Sequence, residues 1–546
     1  MYRVCDDLSG ALIYGMVVFA PWAFGTTQAW SIWTMNICSY LLGALLTVKL
    51  LLRRRTGYLP PRYDRPPEHG AKAPGSLASN AHLGSPQSGR PPVPRGVGDS
   101  ANWQTGGPPH RGQNENRGTT AGVASLEGGS ASPRLRFPKP EFFFWLLSSL
   151  TVLLVGYCFV SAVNARADFD PATYRFEYRD AVRWLPHSLD AARTWFWSWN
   201  YLALALAFWA VRDWLLGKTE RELRASHSGF LFPARLGSLL WVLTVSGGLL
   251  AVEGIVQRIE GSGYLLFLVK PRVNPTAESQ FGPYAYRGSA ASYFNLVWPC
   301  CLGFWWTLHR YAATHRKRHQ IILVCAALMA ACPFISTSRG GALVTTALLV
   351  VGGLYLALSQ FLLPGPQGQR RGRLKMVALL AGFCLAAAGL GYAIGWKRLQ
   401  PRMAELREGF RVREEMFDNA RPMARHYTVF GTGPGTFEMV FQYYRKSTDT
   451  YWPAQLHNDW LETRITFGLV GMSLILAALA TVLLRWFARG GIHGGRRFTT
   501  MTWLALAGCL VHARYDFPFR IYSILFLFVV LCAMLFTLSR RPWRDE

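Results

Sequence analysis

The chain's candidate chemistry rests on a few guanidinium and imidazole groups set at the edges of long apolar runs. Arg339 stands in Thr337-Ser338-Arg339-Gly340-Gly341, with apolar sequence on both sides. An arginine near a helix centre costs about 2.5 to 3.5 kcal/mol on insertion scales, and less where it snorkels to the interface, so a charge placed there calls for a function. Arg287, in Tyr284-Ala285-Tyr286-Arg287-Gly288, puts a second guanidinium beside aromatic rings. There it can hold an anionic group or anchor the chain at a membrane interface. Arg411-Val412-Arg413-Glu414-Glu415-Met416-Phe417 precedes Gly431-Thr432-Gly433-Pro434-Gly435-Thr436-Phe437, and His457-Asn458-Asp459-Trp460-Leu461-Glu462 follows. The glycine cluster lacks the Lys-Ser or Lys-Thr of a phosphate-binding loop and reads as a tight turn. A lone interface histidine is more often structural than catalytic, so His457 takes its weight from its neighbours.

Composition says which elements must hold these groups. Of 546 residues, 51% are hydrophobic and 16% charged, against roughly 25% charged in soluble domains, which disfavours an ordinary soluble enzyme. A bilayer core of about 30 Å needs roughly 20 helical residues. Twelve apolar runs near that length stand between charges, Pro or Gly: approximately 8–24, 30–52, 142–163, 194–216, 236–256, 291–308, 320–336, 340–363, 376–396, 464–484, 499–512 and 521–538. The expected fold is an all-α integral membrane protein of about twelve transmembrane helices, with a large extracytoplasmic helical loop between the ninth and tenth.

The formal charge is +27, and its placement decides between a nucleic-acid partner and a topology signal. With both termini in the cytoplasm, the inner loops 212–235, 310–319, 370–375 and 485–497 and the tail from 540 carry three to five Lys or Arg each, while the short outer loops 22–29, 336–340 and 513–520 carry at most two. This is the positive-inside pattern, and it leaves no nucleic-acid role to explain. The expected organisation is an N-terminal transmembrane hairpin (1–52), a disordered cytoplasmic insertion (53–140), a bundle (141–396), a large outer loop (397–463) and C-terminal helices with a short tail (464–546). The insertion is dominated by Gly, Pro, Ser, Asn and Arg, too few apolar residues to bury a core. The ten cysteines lie almost entirely in apolar runs without a Cys-x-x-Cys, so they read as small buried side chains.

Taken in order, Ser338-Arg339-Gly340, Arg413 followed by Phe417, the Gly431 to Phe437 turn, and His457-Asn458, nine intervening residues, Gly468, two intervening residues and Gly471 resemble the O-antigen ligase and O-antigen polymerase group of bacterial membrane glycosyltransferases. His512 through Asp516-Phe517-Pro518 is similar to the family's short outer turn before its last span. The resemblance runs from about 249 to 538. The 53–140 insertion is not a family feature, and Ser289-Ala290-Ala291-Ser292 replaces the Asn-rich string often seen after the position of Arg287.

The resemblance implies a multi-pass protein of the bacterial inner membrane that takes a glycan from a polyprenyl (undecaprenyl) diphosphate carrier and moves it to the hydroxyl of a glycolipid, such as lipid A-core, or of another glycan at the periplasmic face. Diphosphate is a stable anion, so its departure needs charge neutralisation, which Arg supplies with permanent charge and forked donors. Arg339 and Arg413, with Arg287, form the implied clamp, and His457 is the implied base. Asn458, Asp459 and Arg411 are implied supports. No metal and no cofactor is required. A polymerase and a protein O-oligosaccharyltransferase share this donor chemistry. A lipid-linked glycan transporter is the non-enzymatic alternative, and it would line a mid-membrane pathway with polar groups. Asp168-Phe169-Asp170 matches the acid pairs with which other membrane glycosyltransferases hold metal, a pattern that also arises easily by chance.

Overall fold

In hydrocarbon every backbone N–H and C=O must be satisfied within its own segment, so apolar runs become helices. The computed structural model describes residues 1–64, 140–224, 232–311, 317–362, 370–446, 454–489 and 496–538. In chain order its elements are α1 (Tyr2–Trp22), α2 (Ala29–Thr56), α3 (Pro140–Val163), β1 (Ala167–Asp170), β2 (Arg175–Tyr178), α4 (Ala191–Leu215), α5 (Glu220–Arg224), α6 (Ala234–Glu260), α7 (Arg287–Tyr311), α8 (Gln320–Ile335), α9 (Arg339–Leu362), α10 (Arg370–Leu390), α11 (Trp396–Ala404), α12 (Leu406–His426), α13 (Phe437–Phe441), α14 (Asp459–Arg489), α15 (Arg496–His512) and α16 (Tyr522–Leu538).

Among the described residues, seven helical stretches are long and apolar enough to cross a bilayer: Tyr2–Trp22, Ala29–Thr56, Glu141–Val163, Ala234–Glu260, Arg339–Phe361, Leu374–Ala404 and Asp459–Arg485. The chain is an all-α multi-pass membrane protein. The other five expected spans also fold as helices, α4, α7, α8, α15 and α16. Of these, α8 and α16 are apolar but shorter, and α4 carries Arg212 and Asp213 in its last turn. The ninth expected span runs past its boundary at 396: a π-helical turn at Gly391–Gly395 joins α10 to α11, and the helix continues to Ala404.

One small sheet departs from the helical expectation. β1 and β2 pair antiparallel, Phe169 opposite Phe176 and Asp170 opposite Arg175. The alternation of Phe and Tyr with charged residues is the period-two signal of a strand. Asp170 closes the turn by accepting from Ala172 N at 2.9 Å and Thr173 Oγ1 at 2.6 Å, and Asp168 pairs with Arg179 and accepts from Ala191 N. Both carboxylates of the Asp-x-Asp string therefore hold the hairpin.

The first residues of the expected 53–140 insertion are part of the described structure. Arg53 to Thr56 complete α2, and Arg62 is buried against the bundle, its Nη1 2.6 Å from Asp213 Oδ1. The remainder of that insertion, from 65 to 139, lies outside the described residues. Asp213 also meets Lys49 at 3.0 Å and Arg53 at 2.9 Å, while Asp6 meets Lys49 at 3.1 Å and Arg235. These buried charges tie α1, α2, α4 and α6 together at one end of the bundle. At the other end, α11 to α13 lie in the expected large loop, and α12 and α13 share with the start of α14 a small core built on Phe417, Met423, Phe437, Phe441, Leu456 and Ile465.

Asp213→Asn leaves Lys49, Arg53 and Arg62 buried around a neutral amide. It should cost about 3 to 5 kcal/mol, the range for breaking a buried ion pair, and lower the melting temperature in detergent. Lys49→Met should cost less, because Asp6 and Asp213 keep their arginine partners. Equal losses in the two variants would contradict this account.

Candidate active site

Four short stretches converge on one cavity of about 840 Å³, and Arg287, Arg339, Arg413 and His457 all line it. Each arrives for a local reason. Arg339 is the first residue of α9, and Ser338 caps that helix by accepting from Gly341 N at 3.1 Å, satisfying one of the orphan donors of the first turn. Its Nη1 donates to the carbonyls of Glu405 at 3.0 Å and Arg402 at 3.5 Å, where α11 breaks into α12. Arg287 opens α7. Its backbone N–H donates to Ser279 O at 2.8 Å and its Nη1 to Glu278 O at 2.9 Å. Burial, then the nearby charges of Arg402 and Arg339, push its pKa down to about 10.

Arg413 lies on α12 one turn before Phe417. Phe417 is buried in the small core, which turns Arg413 toward the cavity. The guanidinium donates to Tyr515 O and, at 3.3 Å, to Tyr286 Oη.

His457 precedes α14 with a left-handed backbone, φ 56°, a region His enters more readily than bulky or β-branched residues do. Asn458 then caps α14, its Oδ1 accepting from Leu461 N at 3.2 Å. Asp459 fixes the facing turn: its N–H donates to Ala513 O at 2.8 Å, and its Oδ2 accepts from Phe519 N at 2.8 Å. Glu462 ties in the other side through Leu456 N at 3.0 Å and Arg520 at 2.7 Å. These contacts make Asn458 and Asp459 supports of the backbone around His457. Arg411 is not brought to the cavity; it is exposed and pairs with Glu408 at 2.7 Å.

The imidazole of His457 packs edge-on against Phe517 at 4.7 Å and Tyr286 at 5.9 Å between ring centroids. Its Nδ1 is 3.1 Å from Asp516 Oδ1. Asp516 is the residue that sequence reading left without a role, although it stands inside the His512 to Pro518 string. Burial opposes its charge, but the hydrogen bond and charge of His457, with Arg413 and His512 nearby, prevail and bring its pKa to about 2. As the folded pKa is depressed, what the carboxylate contributes is present above the ordinary aspartate range and is lost as pH falls through about 2. Tyr286 donates its hydroxyl to Asp516 Oδ2 at 3.2 Å and stacks on Phe517. Burial first, then Asp516, raises the phenol's pKa, so it stays a donor.

A carboxylate on Nδ1 favours the tautomer with its proton there and leaves Nε2 as an acceptor. Arg402 also lines the cavity, and its Nε has no hydrogen-bond partner among the described residues. Beyond this polar end the cavity is lined by Leu343, Ala347 and Val351 of α9 and by Leu504, Ala507 and Val511 of α15. From Arg339 to Val351 this lining follows α9 for about 18 Å at 1.5 Å per residue.

The Gly431 to Phe437 turn is a brace for this arrangement. α14 is interrupted at Gly468, φ 62°, and the turn enters the break: Thr432 N donates to Ile465 O at 2.9 Å and Gly433 N to Thr466 O at 3.0 Å. A side chain at Gly431 or Gly468 would run into the facing backbone.

The chain matches no curated protein. Residues 324–476 match the family model described as O-antigen ligase, a stretch that holds Arg339, Arg413 and His457 but ends before Asp516, and over it the chain is O-antigen ligase-like.

Proposed function

We propose that this protein is a glycan ligase that transfers a polysaccharide from a polyprenyl diphosphate carrier to the hydroxyl of a glycolipid acceptor at the non-cytoplasmic face of the inner membrane. The observation that carries the reading is the cavity itself. Its polar end gathers Arg287, Arg339 and Arg413 with His457, and its other end is an apolar slot. A diphosphate fits the first and a polyprenyl tail the second.

In the proposed step the acceptor oxygen attacks the anomeric carbon from the side opposite the diphosphate. The new carbon–oxygen bond forms as the anomeric carbon–oxygen bond to phosphate breaks. The bonding electrons leave with the diphosphate, and the acceptor proton passes to His457 Nε2. The anomeric configuration inverts. Asp516 holds the ring through Nδ1 and stabilises the imidazolium that forms, the role a buried carboxylate plays beside other histidine bases. The guanidiniums stabilise the departing charge, work that a divalent ion performs in other enzymes. All twelve helices named for the expected spans would cross the bilayer, with both termini in the cytoplasm and the His457 end outside.

Purified protein with a lipid-linked glycan and a glycolipid acceptor should form a new glycosidic bond, and failure to form one would refute the reading. His457→Ala should slow transfer by about 100- to 10,000-fold, the range for losing a positioned base, with folded protein retained although the left-handed backbone and the unpartnered Asp516 lower its melting temperature. Turnover near wild type would refute its role. Asp516→Asn keeps the shape but loses the charge, and should slow transfer at least about tenfold by releasing the tautomer and orientation of the base; full activity would remove Asp516 from the step. In a deletion strain, long unattached carrier-linked chains support ligation, whereas single repeat units would mean polymerisation.

A further inference from the structure

Gly409 sits at the start of the second turn of α12, an amphipathic helix with charged residues on either side. Glycine is a poor helix former, and its usual justification, a positive φ, does not apply here: Gly409 is absent from the left-handed residues and donates a helical hydrogen bond to Glu405 O at 3.0 Å. Space explains it instead. A Cβ built on Gly409 would come within 2.6 Å of Arg339 Cζ and closer still to both terminal nitrogens. The guanidinium therefore lies flat against the bare backbone of α12.

Two features fix the group there. The carbonyls of Arg402 and Glu405 take Nη1 at the break between α11 and α12, where the carboxyl end of α11 favours positive charge. Gly409 supplies the floor. Nε and Nη2 make no hydrogen bond among the described residues, and Arg339 borders the cavity.

We propose that Gly409 is a positioning residue for anion binding: its missing side chain lets Arg339 lie across α12 with its free edge turned to the diphosphate. The inference rests on the clamp role proposed for Arg339. Because the atoms in the way are the far end of a flexible side chain, a methyl group at 409 should displace the guanidinium and leave the fold intact.

The test uses the full chain in detergent with undecaprenyl diphosphate as probe. Gly409→Ala should bind the probe at least about tenfold more weakly, the scale of one charge-assisted hydrogen bond, while its melting temperature stays level or rises, as alanine in a helix favours. In an Arg339→Ala background the same change should add less than about twofold, because the two positions act through one group. Unchanged binding by Gly409→Ala, alongside a loss in Arg339→Ala, would overturn the inference and leave the clamp standing. An equal loss in both backgrounds, or a fall in melting temperature, would make Gly409 a packing position and overturn it as well. Wild-type binding by Arg339→Ala would remove the clamp role and this inference together.

Discussion

The structure turns on how it keeps positive charge without neutralising it. Arg287, Arg339 and Arg413 are each held by backbone carbonyl oxygens, those of Glu278, Glu405 and Tyr515. Among the described residues none of the three meets a carboxylate at ion-pair distance. A carbonyl satisfies the donors of a guanidinium but carries only a partial charge, so in the proposed function the full cation remains for the diphosphate. The opposite end of the bundle shows the alternative: Asp6 and Asp213 meet Lys49, Arg53, Arg62 and Arg235 directly. There the charges pair with one another, and at the cavity the three arginines meet carbonyls instead.

The irregular structure around the cavity brings these carbonyls within reach of the guanidiniums. The break between α11 and α12 presents the carbonyls of Arg402 and Glu405 to Arg339, that of Glu405 shared with Gly409 N–H. The turn after α15 offers that of Tyr515, and the non-helical stretch before α7 offers that of Glu278. Within a regular helix all but the last turn of carbonyls already accept one backbone hydrogen bond. The interruption of α14 at Gly468 belongs to the same scheme, because it seats the Gly431 turn and so steadies the small core from which α12 presents Arg413.

Much of this was legible in the sequence. Hydrocarbon imposes one solution on a long apolar run, so all twelve runs correspond to helices, and the motif spacing singled out the four side chains that share the cavity. What escaped had no local signature. Asp516 is an ordinary acid in a turn, and only the fold puts it 3.1 Å from His457. Arg402 reads as one more basic residue after a span, and Gly409 as a weak spot in a helix. Arg411 shows the converse error: two residues from Arg413 on the same helix, it faces away, because neighbours two apart do not share a helical face. The β1–β2 alternation was readable but too short to stand out, and Arg62 owes its burial to a partner more than 150 residues away.

The most direct test of the central claim is a density map of the protein bound to undecaprenyl diphosphate. The diphosphate should lie within hydrogen-bond reach of Arg339 and Arg413, with the first isoprene units between α9 and α15 and the anomeric side of the diphosphate facing His457. A diphosphate seated elsewhere, or a tail that leaves the slot empty, would contradict it.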